Sequence, residues 1–159
     1  MGIDLNAAKE LAKRYMEYYE QVYPSKIHKT LEWFEMNDPN GKGILKEFGS
    51  KKYRFILNEN PFCEREEYFA FNYSAWIETS NGLEDARMAG GGPILVDRLT
   101  SNIYPLGKLG SYSITGNPTE DIEIRYQKIR NALAGKDPNW QHESVLTWIE
   151  EENSFQRVS

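Results

Sequence analysis

The sequence predicts an α+β fold: a mostly antiparallel sheet of about four strands, with an N-terminal helix and one or two C-terminal helices. Three observations carry the prediction. Apolar residues recur at helical spacing only towards the two ends, and short aromatic and β-branched runs fill the middle. The order also lacks the strict βαβ alternation of a parallel sheet. At 159 residues, with 40% hydrophobic and 27% charged residues, the chain has the size and composition of one domain that buries its own core. Residues 1–159 are therefore read as a single domain without internal repeat, low-complexity tract or linker.

Leu5, Ala8, Leu11, Ala12, Tyr15, Tyr18, Tyr19 and Val22 mark the first helix, which begins after Asp4 as N-cap with Ile3 placed to staple back onto Ala8. It is expected to reach about Tyr23 and stop before Pro24, because proline removes an amide from the helical ladder. Residues 25–36, with Ile27, Leu31, Trp33 and Phe34, read as a short second helix, and Asp38-Pro39-Asn40-Gly41 as a turn. The aromatic runs 53–57 and 68–73 read as strands that pair antiparallel. Residues 93–97 and 102–106 read as a third and fourth strand around the connection 98–101, with Pro105 placing the fourth at an edge or strand end. Asn117-Pro118-Thr119-Glu120 combines an N-cap, an N1 proline and an N3 glutamate. Ile122, Tyr126, Ile129 and Leu133 form the apolar face of the helix that follows, and Gly135 stops it. A last helix is expected after Asp137-Pro138, ending near Glu152.

Cys63 is the only cysteine, which excludes an intramolecular disulfide and a cysteine-rich zinc site and points to a reducing compartment. Residues 1–13 mix charges among their apolar residues, and no stretch approaches the roughly eighteen apolar residues of a membrane span. The expected location is cytoplasmic, without a membrane partner. The net charge of −5 is uneven: residues 1–52 carry nine Lys and Arg against eight Asp and Glu, while 53–113 and 114–159 each carry five against eight. That sign disfavours nucleic acid, whose phosphates need Lys and Arg, and favours a basic protein partner.

The search for chemistry assigns no catalytic residue, cofactor or metal. His28 and His142 stand in no metal-binding pattern and read as surface or packing residues. Cys63 sits in Asn-Pro-Phe-Cys-Glu-Arg-Glu-Glu, where acidic neighbours disfavour a thiolate nucleophile. Gly90-Gly91-Gly92 leads from an expected helical turn into a strand and lacks the Gly-Lys-Ser/Thr ending, so it reads as a permissive turn rather than a phosphate cradle. The carboxylate clusters 64–67, 84–85 and 150–152 read as exposed acidic faces, with an interface as the functional alternative. Trp33, Phe34 and Trp76 read as core residues or as anchors in a partner's pocket. The candidate partner-binding residues are Trp33, Glu66, Glu67, Trp76, Glu84 and Asp85.

Tyr68-Phe69-Ala70-Phe71-Asn72, Trp76-Ile77-Glu78-Thr79, Ala86-Arg87-Met88-Ala89-Gly90, Gly92-Pro93-Ile94-Leu95-Val96-Asp97-Arg98 and Ile103-Tyr104-Pro105-Leu106-Gly107 follow one another in order. This succession resembles the YrhB-type domain, the immunity protein 35 family of bacterial polymorphic-toxin systems. The likeness covers about residues 66–107 and extends to Ile3-Asp4-Leu5-Asn6-Ala7-Ala8 at the start. It implies a family-like core of about 1–23 and 53–107, an insertion of about 24–48 and a divergent helical part over 114–155. Ser101 stands where the family favours Gly, so a longer or less tight turn is expected there. The resemblance implies structural roles for Glu78, Thr79, Gly90, Pro93, Asp97, Leu106 and Gly107. It also implies binding and neutralisation of a cognate protein toxin with no reaction catalysed. The alternatives are a general chaperone-like binding protein and a small enzyme using Cys63 or a carboxylate pair.

Overall fold

The structure, a computed structural model, describes residues 2–49, 51–86, 93–106, 115–136 and 145–158. It is α+β, and every strand pair among the described residues is antiparallel. The first helix, α1 (Leu5–Asn37), starts where the sequence places it: the Asp4 carboxylate accepts the Ala7 amide at 2.8 Å. It does not stop before Pro24. Tyr23 and Leu31 are buried and Ile27 packs on the core, so the apolar period continues through the proline and no separate helix exists over 25–36. Pro24 itself is exposed, which leaves the carbonyl it cannot serve on the solvent side. Beyond Asp38, a turn at 39–40 leads to the short α2 (Ile44–Phe48).

The strands form two sheets rather than one of about four strands. The small sheet has the order β1-β4-β5, from β1 (Tyr53–Leu57), β4 (Tyr73–Thr79) and β5 (Gly82–Asp85). The large sheet has the order β2-β3-β6-β7-β8-β9. Its members are β2 (Cys63–Glu64), β3 (Tyr68–Phe71), β6 (Ile94–Asp97), β7 (Ile103–Pro105), β8 (Leu146–Ile149) and β9 (Ser154–Arg157). The expected pairing of 53–57 with 68–73 is therefore corrected. β1 pairs with β4, Leu57 opposite Tyr73, while β3 pairs with β2 and β6. Asn72 separates β3 from β4, and the chain changes sheets there. The burial patterns explain the split: all four residues of β3 are buried, as a strand covered on both faces requires, whereas β4 has one core face and one open face.

The β6–β7 hairpin forms as expected, Val96 opposite Ile103, and Pro105 ends β7 between two neighbours rather than at a sheet edge. Its connection is tight despite Ser101, which adopts φ 62°. Asp97 makes this possible by accepting the Leu99 and Thr100 amides on Oδ1 and the Ser101 amide on its carbonyl. The helix α3 (Pro118–Leu133) has Asn117 as N-cap and Pro118 at its start, as predicted. The expected final helix is a misreading over its described part: β8 and β9 form a hairpin joined by a 3₁₀ turn, Glu150–Glu152. Val145 and Leu146 are both buried, in different core clusters, which a strand with two covered faces accomplishes.

The large sheet lies between two helices. Phe69, Phe71, Ile94, Val96, Ile103 and Leu146 share one core with α1, and Tyr68, Ala70, Leu95 and Tyr104 share the other with Ile122, Tyr126 and Ile129 of α3. The small sheet packs Tyr53, Phe55, Tyr73, Ala75 and Ile77 onto the α1 side. No described helix is long and apolar enough to cross a membrane.

Candidate partner-binding surface

Alternation along β4 sends Tyr73, Ala75 and Ile77 to the core and leaves Ser74, Trp76 and Glu78 on the other face. Register completes that face. Trp76 stands opposite Arg54 on one side and Asp85 on the other, Ser74 stands opposite Ile56, and Glu78 stands opposite Leu83. Ile56 and Leu83 are each 44% exposed, and Trp76 is half-buried and belongs to neither core. The Trp76 indole N–H donates to Ser74 Oγ at 2.8 Å, which fixes the ring on the sheet. The outcome is an apolar strip, Ile56–Trp76–Leu83, running across three strands.

Carboxylates flank this strip. Arg54 Nη1 donates to Glu78 at 3.1 Å and Arg54 Nε to Glu20 at 3.2 Å, while Lys52 lies 3.6 Å from Glu78. The hydrogen bond from Arg54, helped by Lys52, holds the Glu78 carboxyl below its ordinary range. One guanidinium is thus shared between two carboxylates, and β5 adds Asp85 on this face and Glu84 on the opposite one, both exposed. The hairpin carrying them is braced by Thr79, whose hydroxyl accepts the Asn81 amide at 3.2 Å and donates to the Gly82 carbonyl at 2.9 Å.

The six residues proposed from sequence fall in three places. Trp76, Glu84 and Asp85 come together on β4 and β5, although Glu84 sits opposite Ile77 and so points to the other side of the sheet from Trp76 and Asp85. Trp33, 59% exposed, lies near the end of α1 with its ring edge-on to Phe34 at 5.2 Å. Glu66 and Glu67 are exposed in the turn between β2 and β3, in the large sheet, where the Arg98 amide donates to the Glu67 carbonyl. Pro93 and Leu106 are buried and joined by the Leu106 amide on the Pro93 carbonyl at 2.9 Å. Gly90 and Gly107, like Gly91 and His142, lie outside the described residues. The helical turn expected just before the glycines also lies outside the described residues, which end at Ala86 after β5.

Sequence reasoning missed Ile56 and Leu83, whose exposure follows only from the register. It also missed a buried polar network behind the large sheet. Asp97 Oδ2 accepts Tyr104 OH at 2.5 Å, Tyr126 OH at 3.5 Å and Arg130 Nη1 at 3.3 Å. Burial, then the Asp97 hydrogen bond, pushes the Tyr104 phenol up to about 12. Nearby, Tyr68 OH donates to Glu123 at 2.6 Å. Burial raises the Glu123 carboxyl, but hydrogen bonds from Tyr68 and Gln127 and the charge of Arg65 outweigh it and hold Glu123 below its ordinary value. These groups satisfy one another and tie α3 to the sheet. Cys63 is buried in the same core, and His28 is exposed and pairs with Glu32 at 3.0 Å.

Two clefts among the described residues flank α1, and the second reaches Arg54 and Ile56 of the surface just described. One, of about 210 Å³, lies between α1 and β9 and includes Arg14, Tyr18 and Trp148; the other, of about 270 Å³, runs beside β1. Both fall short of the roughly 300 to 1,000 Å³ of small-molecule sites. No protein-family model, curated protein or solved structure matches the chain.

Proposed function

We propose that this chain is an immunity protein, which binds a cognate bacterial toxin and neutralises it without catalysing a reaction. The observation that carries the reading is the Ile56–Trp76–Leu83 strip bordered by Glu78 and Asp85, an aromatic anchor among carboxylates on a sheet face that neither core uses. Central aromatics supply most of the binding energy in such interfaces, and flanking charge steers the partner and sets the association rate. The resemblance of residues 66–107 supplies the class of partner. In this reading the toxin presents a basic face, the complex forms in the cytoplasm, and neither nucleic acid nor membrane takes part.

The test is surface-binding kinetics with the toxin encoded beside this gene, at several salt concentrations. Trp76→Ala is expected to speed dissociation about 30-fold, corresponding to the ~2 kcal/mol of a hot-spot aromatic. Replacing Glu84 and Asp85 with Gln and Asn should slow association and flatten its salt dependence, since screening shortens the Debye length to about 3 Å at 1 M. A toxin that fails to bind the wild-type chain, or cells that gain no protection from it, would refute the proposal.

A further inference from the structure

Among the described residues the small sheet has two edges, and they are not alike. On β1, the Phe55 amide faces away from β4 and is taken by Glu20 Oε1 at 2.9 Å, so a side chain of α1 closes that edge. β5 forms the other edge, and all four of its residues are exposed. The phase of its ladder follows from the Ala86 amide, which donates to the Ala75 carbonyl at 3.1 Å. Counting back in register, Glu84 exchanges hydrogen bonds with Ile77, and the amide and carbonyl of Leu83 turn outward. We propose that β5 is a docking edge at which an extended, basic segment of the partner protein adds as a fourth strand. The proposal deepens the binding reading above and rests on it.

Side-chain parity defines the occupant. Leu83 lies on the Trp76 face, so the residue paired with it is apolar and extends the Ile56–Trp76–Leu83 strip. Glu84 projects to the opposite face, so the next residue of the incoming strand is cationic. β5 carries Glu84 and Asp85 and no Lys or Arg. A second copy of this chain paired Glu84 to Glu84 would set like charges opposite each other, which disfavours that self-pairing while admitting a basic strand. The Thr79 hydroxyl bridge and Gly82, at φ 111°, hold the hairpin in place before the partner arrives, which lowers the ordering cost of strand addition.

The probe is a labelled eight-residue peptide of alternating Val and Lys, titrated against the full chain by fluorescence anisotropy. Its counterparts are an alternating Val and Glu peptide and a Val–Lys peptide N-methylated on alternate residues. The Val–Lys peptide is expected to bind, N-methylation to weaken it at least tenfold, and the Val–Glu peptide to fail. Leu83→Pro, which deletes the outward amide, should weaken binding to the same degree, and Glu84→Lys should reverse the peptide preference. If Leu83→Pro unfolds the sheet, the N-methylated peptide on wild-type protein still decides. No binding of the Val–Lys peptide, or equal binding of its N-methylated form, overturns the docking edge. A toxin that binds wild type and a folded Leu83→Pro variant alike overturns the edge and leaves the immunity reading intact. A toxin that does not bind at all removes the immunity reading, and the peptides still decide the edge.

Discussion

Asp97 has no solvent exposure, yet its two oxygens accept from two backbone amides, two phenols and a guanidinium. A buried carboxylate persists only when donors replace its water, and here they come from the following turn, from β7 and from α3. Asp97→Asn places an amide N–H₂ among donors and leaves Arg130 without its charge partner. The expected loss is about 3 kcal/mol in denaturant unfolding, against about 1 kcal/mol for Tyr104→Phe. Equal small losses would show that the network is hydrated rather than shared. Gly41 poses a steric question instead, because a Cβ there would lie 2.2 Å from the Phe34 carbonyl oxygen. Gly41→Ala should lower stability by about 1 to 3 kcal/mol, read as a lower melting temperature. The sequence marked Gly41 as a turn residue, and Asp97 only through a resemblance. Arg130 lies 33 residues from Asp97, and the Phe34 carbonyl reaches Gly41 only because the chain folds back after α1, so both partners became visible only with the fold.

At the scale of elements, α1 and the C-terminal hairpin show opposite failures of local rules. Pro24 is a helix breaker by every local criterion, but Tyr23 and Ile27 keep the helix on the core, and Leu31, at i+8, is buried in turn. Their burial outweighs one missing hydrogen bond. Pro24→Ala restores that bond to the Glu20 carbonyl and is expected to stabilise the protein by about 2 kcal/mol, after the loss of proline's effect on the unfolded chain. A fall in the unfolding midpoint would show that the proline relieves strain in α1. Residues 145–157 err the other way: Val-Leu-Thr-Trp-Ile has strand composition, yet the sequence reading places a helix after Asp137-Pro138. The cross-strand pairing of Trp148 with Phe155, rings 5.0 Å apart, and the pairing of Leu146 with Ile103 make it a strand. Glu150–Glu152 then forms the turn, closed by Asn153 at φ 49°.

At the scale of the whole molecule, aromatic residues bind the layers together. Tyr15, Tyr19, Tyr23 and Tyr73 meet around Phe55 and Phe155, and Tyr68, Tyr104 and Tyr126 meet under α3. Burial raises the phenol of each of these seven tyrosines above the ordinary 10.0. A group whose folded value is raised contributes stability that is present in full below its unfolded value and is lost as pH rises through the folded one. Alkaline titration should therefore leave these tyrosines neutral up to about pH 10 and then ionise them together in one unfolding transition. Ultraviolet difference absorbance with near-ultraviolet circular dichroism checks this. Stepwise ionisation with an unchanged dichroism spectrum would show that the two cores admit solvent.

The sequence by itself determined the fold class, the N-caps of α1 and α3, the hairpin of β6 and β7, and the acidic bias of the later chain. Each of these depends on neighbours within a few residues or on composition. Tertiary structure alone decided that α1 passes through Pro24, that β1 pairs with β4 rather than β3, and that residues 146–149 and 154–157 are strands. It also decided that Ile56, Trp76 and Leu83 share an open face. The physical reason is that strand pairing and burial are set by contacts between residues distant in sequence. A short aromatic run carries no mark of which run it will face, or of whether one of its sides or both will be covered.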